Sequence, residues 1–390
     1  MIAIVGGGPA ALGAALACGK AAQIFERNAF CGKKLLLSGS GQCNFTNALT
    51  KAEFLSALGE FRTWLKPAFY AFDNAAFMQL LEENSCPVFA RDDGKVFPQS
   101  MKSADVRDTL VNLVQKRGTK INYSSKVQDI SPQGTGFLLK VGNATIQAEK
   151  LILASGGAAW PETGSDGFSY RIAQKLGHQV LAPVPALASI RIRDYPPFDT
   201  CAGISLPQST LIIGKDRFSG DLLFTHQGLS GPLILDNSRR MQPGQTIRLV
   251  FDGQDRLFDL LQSYPKKQIV SILQMLALPK SLCEAILLKL QIPKDALAAH
   301  FKAAHRKNLR AFLTGGEFII RDIESLASAM SDFGGIQLNE VVAKSMQSRF
   351  TPGLYFAGES LAYSLPTGGF SIQMAVSTGY LAALSALNDI

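Results

Sequence analysis

The sequence has no CxxC and no regular cysteine spacing. Six cysteines, at 18, 31, 43, 86, 201 and 283, are scattered along it, with only four histidines. A disulfide framework or structural zinc site is not expected, and the pattern suits a reducing, cytoplasmic protein. No uninterrupted apolar run reaches bilayer-spanning length; residues 180–190 come nearest and contain two prolines. A strand-like pattern starts at Met1, leaving no room for a signal or transit peptide in this reading. There are no internal repeats and no low-complexity tracts. Charged residues make up 18% of the 390 and hydrophobic ones 47%, which supports a large core and, by length, two or three domains.

What is present is concentrated at the start. Residues 1–5 form a short apolar run that reads as a buried strand. Gly6-Gly7-Gly8-Pro9-Ala10-Ala11 follows, then an Ala/Leu-rich helix over residues 12–20, then a second apolar run, 21–25, ending in Glu26. This strand–glycine turn–helix–strand–acid order is a dinucleotide site. Gly6 permits the turn, Gly8 lets amides approach a pyrophosphate, and Ala11 takes the third small position. Glu26, twenty residues beyond Gly6, can accept both ribose hydroxyls. The competing reading, a glycine turn with no ligand, does not explain why the flanking elements and the acid agree. An acid at this place disfavours a 2′-phosphate, so the expected dinucleotide is FAD or NAD.

Alternating strands and helices continue to about residue 188. Residues 151–154 read as another buried strand, ending at Ala154 in a second glycine turn, Ser155-Gly156-Gly157. The texture changes near Pro183. Residues 188–193, 210–213 and 246–251 read as short strands of a small barrel or sandwich. Residues 257–312 read as short helices, with starts suggested at Pro265, Pro279 and Pro293. From Gly334 the α/β character returns. Residues 353–359 form a strand ending in Gly358-Glu359, and Gly368-Gly369 opens a last helix from Phe370. Such an element favours FAD over NAD, because the amides of Gly368, Gly369 and Phe370 and the positive helix end can face the flavin N1–O2 edge. There is no second GxGxxG after a strand, so a nicotinamide nucleotide would dock transiently.

Three stretches carry candidate chemistry. Residues 33–47 form a glycine-rich polar turn with a thiol at Cys43 and two amides; its backbone can bind phosphate and Cys43 can donate a proton, while a buried structural cysteine is the plainer reading. His226, in a polar turn at 224–232, is an acid, a base, a cofactor contact or a structural histidine. Residues 91–98 look like a hairpin turn. The net charge of +8 is concentrated between residues 260 and 311, where nine Lys/Arg face two acids. This is a phosphate-backbone footprint or a solvated helical face; aromatics for base stacking are sparse there.

Together these segments resemble the bacterial flavoproteins labelled YhiN-like, BaiN-like or aminoacetone-oxidase-like. The resemblance spans nearly the whole chain and rests on residues 4–15, 34–47, 94–100, 151–167, 222–232 and 354–375. It implies an α/β fold: a glutathione-reductase-type, Rossmann-like domain binding FAD non-covalently, with an inserted small β-barrel and a helical subdomain. The expected division is 1–188 with 334–390 for the FAD domain, 189–256 with 315–333 for the barrel and 257–314 for the helices. The implied activities are flavin-dependent reductions of activated C=C bonds, including uridine to dihydrouridine in ribosomal RNA and reduction of steroid-like enones. The chain departs from the family pattern at Gln42, where an arginine is usual, at Ala362, where an aspartate is usual, and at Phe370-Ser371, where Tyr-Asn is usual.

The candidate cofactor-binding residues are Gly6, Gly8, Pro9, Ala10, Ala11, Glu26, Arg27, Lys34, Ser38, Gly39, Gly41, Asn44, Val127, Ala154, Ser155, Gly156, Gly157, Gly358, Glu359, Gly368, Gly369 and Phe370; the candidate catalytic ones are Cys43 and His226. The leading expectation is an FAD-dependent reductase. NAD(P)H docks transiently, flavin N5 passes hydride to a C=C, and Cys43 protonates the adjacent carbon. A uracil in structured RNA, gripped by the basic helices and swung out of its stack, is the favoured substrate. The alternatives are a small-molecule reductase or oxidase acting on an enone or amine, and a flavin-dependent RNA-binding protein without catalysis.

Overall fold

The computed structural model describes residues 1–388. The chain divides into two units, Met1–Val184 with the segment from Leu326 onward, and Pro185–Ser325.

The first unit is built on a seven-stranded sheet. Its order is Val341–Val342, Gln347–Ser348, Leu354–Phe356, Lys150–Leu153, Ile2–Val5, Ala22–Phe25, Lys120–Asn122. The five strands from Leu354–Phe356 to Lys120–Asn122 run parallel, with Ile2 level with both Lys150 and Ala22. All of Ile2–Val5 is buried, as a parallel strand covered on both faces requires. The adjoining helix, Pro9–Cys18, is built largely of alanine with a glycine at 13 and is buried almost throughout. Its small residues let it cross the last helix, Phe370–Asn388, at close range. A methyl group at Gly13 would lie 2.4 Å from the Val376 carbonyl oxygen, and one at Gly379 only 1.9 Å from that of Ala10. The last helix is long and apolar enough to cross a membrane by composition, but 67% of its apolar window is buried within the protein. Its role here is that of a core helix.

Three small sheets complete this unit: Thr46–Asn47 with Lys95–Pro98 and Val88–Ala90, the meander Val127–Gln133, Gly136–Val141 and Ala144–Ala148, and the pair Val180–Ala186 with Ser331–Ile336.

The second unit is a closed six-stranded barrel in the order Ile190–Ile192, Gly228–Ser230, Asp216–Phe224, Ser205–Ile213, Thr246–Val250, Gly316–Ile323. The helices Leu257–Ser263, Ile269–Gln274, Lys280–Lys289 and Ala303–Gly315 are inserted between its last two strands. Barrel and helices share one apolar core, in which Phe198 stacks on Phe312 at 6.0 Å and meets Phe318 at 5.3 Å. They fall in the same unit, whose boundary with the rest of the chain lies at 325/326. Ser331–Ile336 pairs with Val180–Ala186, outside the barrel. Of the three expected helix starts, Pro279 caps Lys280–Lys289. Pro265 and Pro293 lie in turns, with the Ala296 N–H donating to the Pro293 carbonyl.

Candidate functional site

The first glycine turn separates two kinds of glycine. Gly6 has φ +107°, and a methyl group there would lie 2.5 Å from the Ala154 carbonyl oxygen. One at Gly7 would meet Glu26 Oε2 at 2.6 Å and Cys31 Sγ at 2.8 Å. The fold itself requires both glycines. Gly8 is different. Its φ of −80° and ψ of −176° suit any residue, and a methyl group there would meet nothing within 4 Å. Neither backbone geometry nor protein packing demands a glycine at 8. What its missing side chain leaves is open space at the N-terminus of Pro9–Cys18, where Gly8 as N-cap presents no side chain to the first-turn amides. Amides and the positive helix end facing open space fit a pyrophosphate.

Glu26 closes this end. It is 5% exposed, and its Oε1 accepts the Asn28 backbone N–H at 2.6 Å and the Asn28 side-chain amide at 2.7 Å. Burial raises its pKa above the ordinary carboxylate value, partly offset by the donors of Asn28 and Gly7 and by the charge of Arg27. Arg27 points the other way. Its Nη1 donates to Asp166 Oδ2 at 2.7 Å and to the Gly164 carbonyl at 3.3 Å. Burial works against the Asp166 charge, but Arg27, Arg171 and Lys126 hold its pKa below the usual value. The Ser125 N–H donates to the Glu26 carbonyl at 2.8 Å, which brings the chain beside the acid just before Val127, itself buried.

The second glycine turn lies against the first. Ala154 N–H reaches the Val5 carbonyl, the Ser155 and Ser169 hydroxyls share a 2.6 Å hydrogen bond, and Gly156 is left-handed at φ +79°. From the next strand, Gly358 N–H donates to Thr378 Oγ1 at 2.9 Å. Glu359 Oε2 pairs with Lys34 Nζ at 2.5 Å, and its Oε1 accepts the Ser331 hydroxyl at 2.7 Å. Ser331, Asn28 and Asp166 carried no local signal in the sequence; their partners lie up to 139 residues away.

The polar turn at 33–47 meets the far end of the chain. Thr46 Oγ1 donates to Gln373 Oε1 at 2.6 Å, Asn47 Nδ2 to the Gly368 carbonyl at 3.3 Å, and a methyl group at Gly369 would lie 2.5 Å from the Thr46 carbonyl oxygen. Phe370 packs on Phe54 with ring centroids 4.7 Å apart. Within the turn, Ser38 donates to the Leu35 carbonyl and accepts Cys43 N–H on its own carbonyl, while Asn44 Nδ2 reaches Thr46 and Val96 carbonyls at 3.0 Å. Gly39 and Gly41 are left-handed, and so are Ser40 at φ 55° and Cys43 at φ 63°. Two non-glycine residues in this region mark a backbone held by its surroundings, as at many ligand sites. The Cys43 thiol is fully buried, and burial pushes its pKa up to about 12 despite a hydrogen bond with Ser38. It therefore remains a thiol at neutral pH.

The 91–98 stretch is the expected hairpin, closed by Arg91 N–H to the Lys95 carbonyl at 2.9 Å. It also has a contact that the sequence did not signal. The Arg91 guanidinium lies 4.0 Å from the Phe97 ring centroid and donates to Gln42 Oε1 at 3.2 Å. An arginine thus stands beside the position where the family arginine has become Gln42. His226 lies on the other unit, exposed at the tip of the hairpin joining Asp216–Phe224 to Gly228–Ser230.

Residues 1–385 match the family described as the HI0933-like protein Rossmann domain. The chain is 33% identical to the ribosomal RNA dihydrouridine synthase of Haemophilus influenzae, covering 98% of this chain and 97% of that one. It is 27% identical to the 3-dehydro-bile acid delta(4,6)-reductase of Clostridium scindens, covering 99% and 98%. Among solved structures, a 3-ketosteroid-delta4-(5alpha)-dehydrogenase from Rhodococcus jostii superposes with a TM-score of 0.53 at 15% identity, over 99% of this chain and 96% of that one, which is a likeness of fold. The sequence match along almost the whole chain and a glycine cradle shaped for a dinucleotide agree: the chain belongs to the HI0933-like family of FAD-dependent oxidoreductases.

Proposed function

We propose that this protein reduces an activated C=C bond with electrons from NAD(P)H, and that its substrate is a uracil base in ribosomal RNA. The observation that carries the reading is the pair of full-length relatives. A dihydrouridine synthase and a delta(4,6)-reductase differ in substrate, but both names describe two-electron saturation of a ring C=C. The greater identity lies with the RNA enzyme.

FAD would be held by the two glycine turns, Glu26 and the Gly358-Glu359 element, and would supply two-electron redox chemistry there. This chain's residues supply binding and the proton. Lys34 and Ser331 orient the Glu359 carboxylate. Cys43, kept as a thiol by burial, is the proton donor to the carbon beside the one receiving hydride. The Cys43 side chain is fully buried, so that transfer requires the thiol to become accessible to the substrate.

Substrate grip falls to the helical part of the barrel unit. All nine Lys/Arg between residues 260 and 311 are exposed; Lys302 caps Ala303–Gly315, and Arg306 and Arg310 follow one turn apart, about 6 Å along it, with Arg310 paired to Asp255. Phe258 and Tyr264, at 52% and 39% exposure, add aromatic surface on the same unit. Basic side chains with exposed rings suit an RNA backbone with unstacked bases. A small-molecule enone reductase is the second reading, favoured by the bile-acid relative and by the changed environment at Gln42.

Purified protein loaded with FAD, supplied with NADH or NADPH and given either unmodified ribosomal RNA or a simple cyclic enone, tests the choice. Dihydrouridine formed in the RNA supports the proposal. Enone turnover with inert RNA overturns it in favour of the second reading.

A further inference from the structure

Beside the second glycine turn lies an acid that no sequence motif singled out. Asp332 is 3% exposed. Its Oδ2 is used within the protein, accepting the Ala158 N–H at 3.0 Å and the Tyr170 hydroxyl at 2.7 Å. Its Oδ1 is buried and has no hydrogen-bond partner among the described residues. That oxygen lies directly over Gly157, where a methyl group would come within 2.2 Å of it. Gly157 therefore has to be a glycine because Asp332 is there. The Tyr170 hydroxyl also lies 3.0 Å from the Glu359 carbonyl, so Asp332 joins the Lys34–Glu359–Ser331 cluster.

A buried polar oxygen left unpaired costs stability, and such a group calls for an explanation in strain, in a catalytic role, or in a water, ion or ligand that pairs it. We propose that Asp332 is a cofactor-binding residue: Oδ1 accepts a hydrogen bond from an N–H or O–H of the bound flavin nucleotide, while Oδ2, holding the Ala158 N–H and the Tyr170 hydroxyl, fixes the carboxyl in place. The proposal rests on the FAD reading of this unit. The donors that a flavin nucleotide offers here are its ring N3–H and its ribityl hydroxyls.

The charged and titratable groups facing Asp332 are Glu359, Tyr170 and Lys34. Burial first, and then the charge of Glu359, raise the Asp332 pKa, outweighing Tyr170, Lys34 and the Ala158 N–H. For an acid whose folded pKa is raised, the associated stability is complete below the ordinary aspartate range and is lost as pH rises through the folded value. Asp332→Asn removes that loss.

The test compares apoprotein unfolding with FAD binding. Asp332→Asn is expected to leave the melting temperature of the apoprotein equal or higher, with the gain growing as pH rises, and to weaken FAD binding about tenfold or more. A lower apoprotein melting temperature at every pH, or unchanged FAD affinity, would overturn the assignment. A second arm uses the parent protein, so that it does not depend on the variant folding. One of two analogues, N3-methyl-FAD or a ribityl-deoxy FAD, should bind at least about tenfold more weakly than FAD and thereby name the donor. Parental affinity for both would refute the contact, whereas failure of the parent to bind FAD itself would refute the cofactor reading instead.

Discussion

Gly8 separates the demands of the fold from those of the ligand. Alanine at 8 would keep φ −80° and ψ −176° without strain, and its methyl group would meet no protein atom within 4 Å. Apoprotein stability should be unchanged or improved by about 0.4–1 kcal/mol, because alanine restricts the unfolded chain more than glycine does. The methyl group would occupy the space through which the helix amides reach a pyrophosphate. Loss of one charge-assisted hydrogen bond costs about 1.5–3 kcal/mol, or roughly 10- to 150-fold in affinity. The control is Gly13→Ala, which drives a methyl group to 2.4 Å from the Val376 carbonyl oxygen and should destabilise by overpacking, about 1–3 kcal/mol or more. Thermal unfolding of FAD-stripped protein and titration of FAD by fluorescence quenching read the two effects separately. The reasoning fails if Gly8→Ala lowers apoprotein stability as Gly13→Ala does, or if it binds FAD like the parent.

Three further outcomes follow from the geometry. Cys43→Ala should slow the substrate half-reaction by about 10²–10⁴-fold, as expected for loss of a general acid; rapid-mixing kinetics with pre-reduced enzyme measure it, and parental rates would exclude Cys43 as the donor. Asp166→Asn should cost less than about 1 kcal/mol at neutral pH, since the Arg27 pair is partly solvent-screened. Because the Asp166 pKa is depressed, that stabilisation is present above the ordinary aspartate value and lost as pH falls through the folded one, so the variant and the parent should converge in acid unfolding curves. Replacing Lys302 or Arg306 with alanine should flatten the salt dependence of RNA binding by about one phosphate contact each; an unchanged slope would make the basic helix an ordinary solvated face.

The nucleotide frame was legible because its signals are local. Strand, glycine turn, helix and acid fall within residues 1–26, and each constrains the next through backbone sterics and the reach of one βαβ turn. The Gly358-Glu359 strand and the Gly368-Gly369 helix start were readable for the same reason. The barrel was only partly visible. Asp216–Phe224 carries Asp216, Arg217, Gly220 and Asp221, which blur the alternation of a strand, although it pairs along its length with Ser205–Ile213. Asp332 was invisible for a different reason. Its significance lies in what it does not bond to, and in Gly157, 175 positions earlier in the chain. The Arg91–Gln42 contact likewise joins a hairpin to a loop that share no motif.

Mass-spectrometric mapping of dihydrouridine in ribosomal RNA, in the native host with and without this gene, tests the central claim most directly. The account predicts a site that disappears on deletion and returns with the parent protein but not with Cys43→Ala. An unchanged map would contradict it.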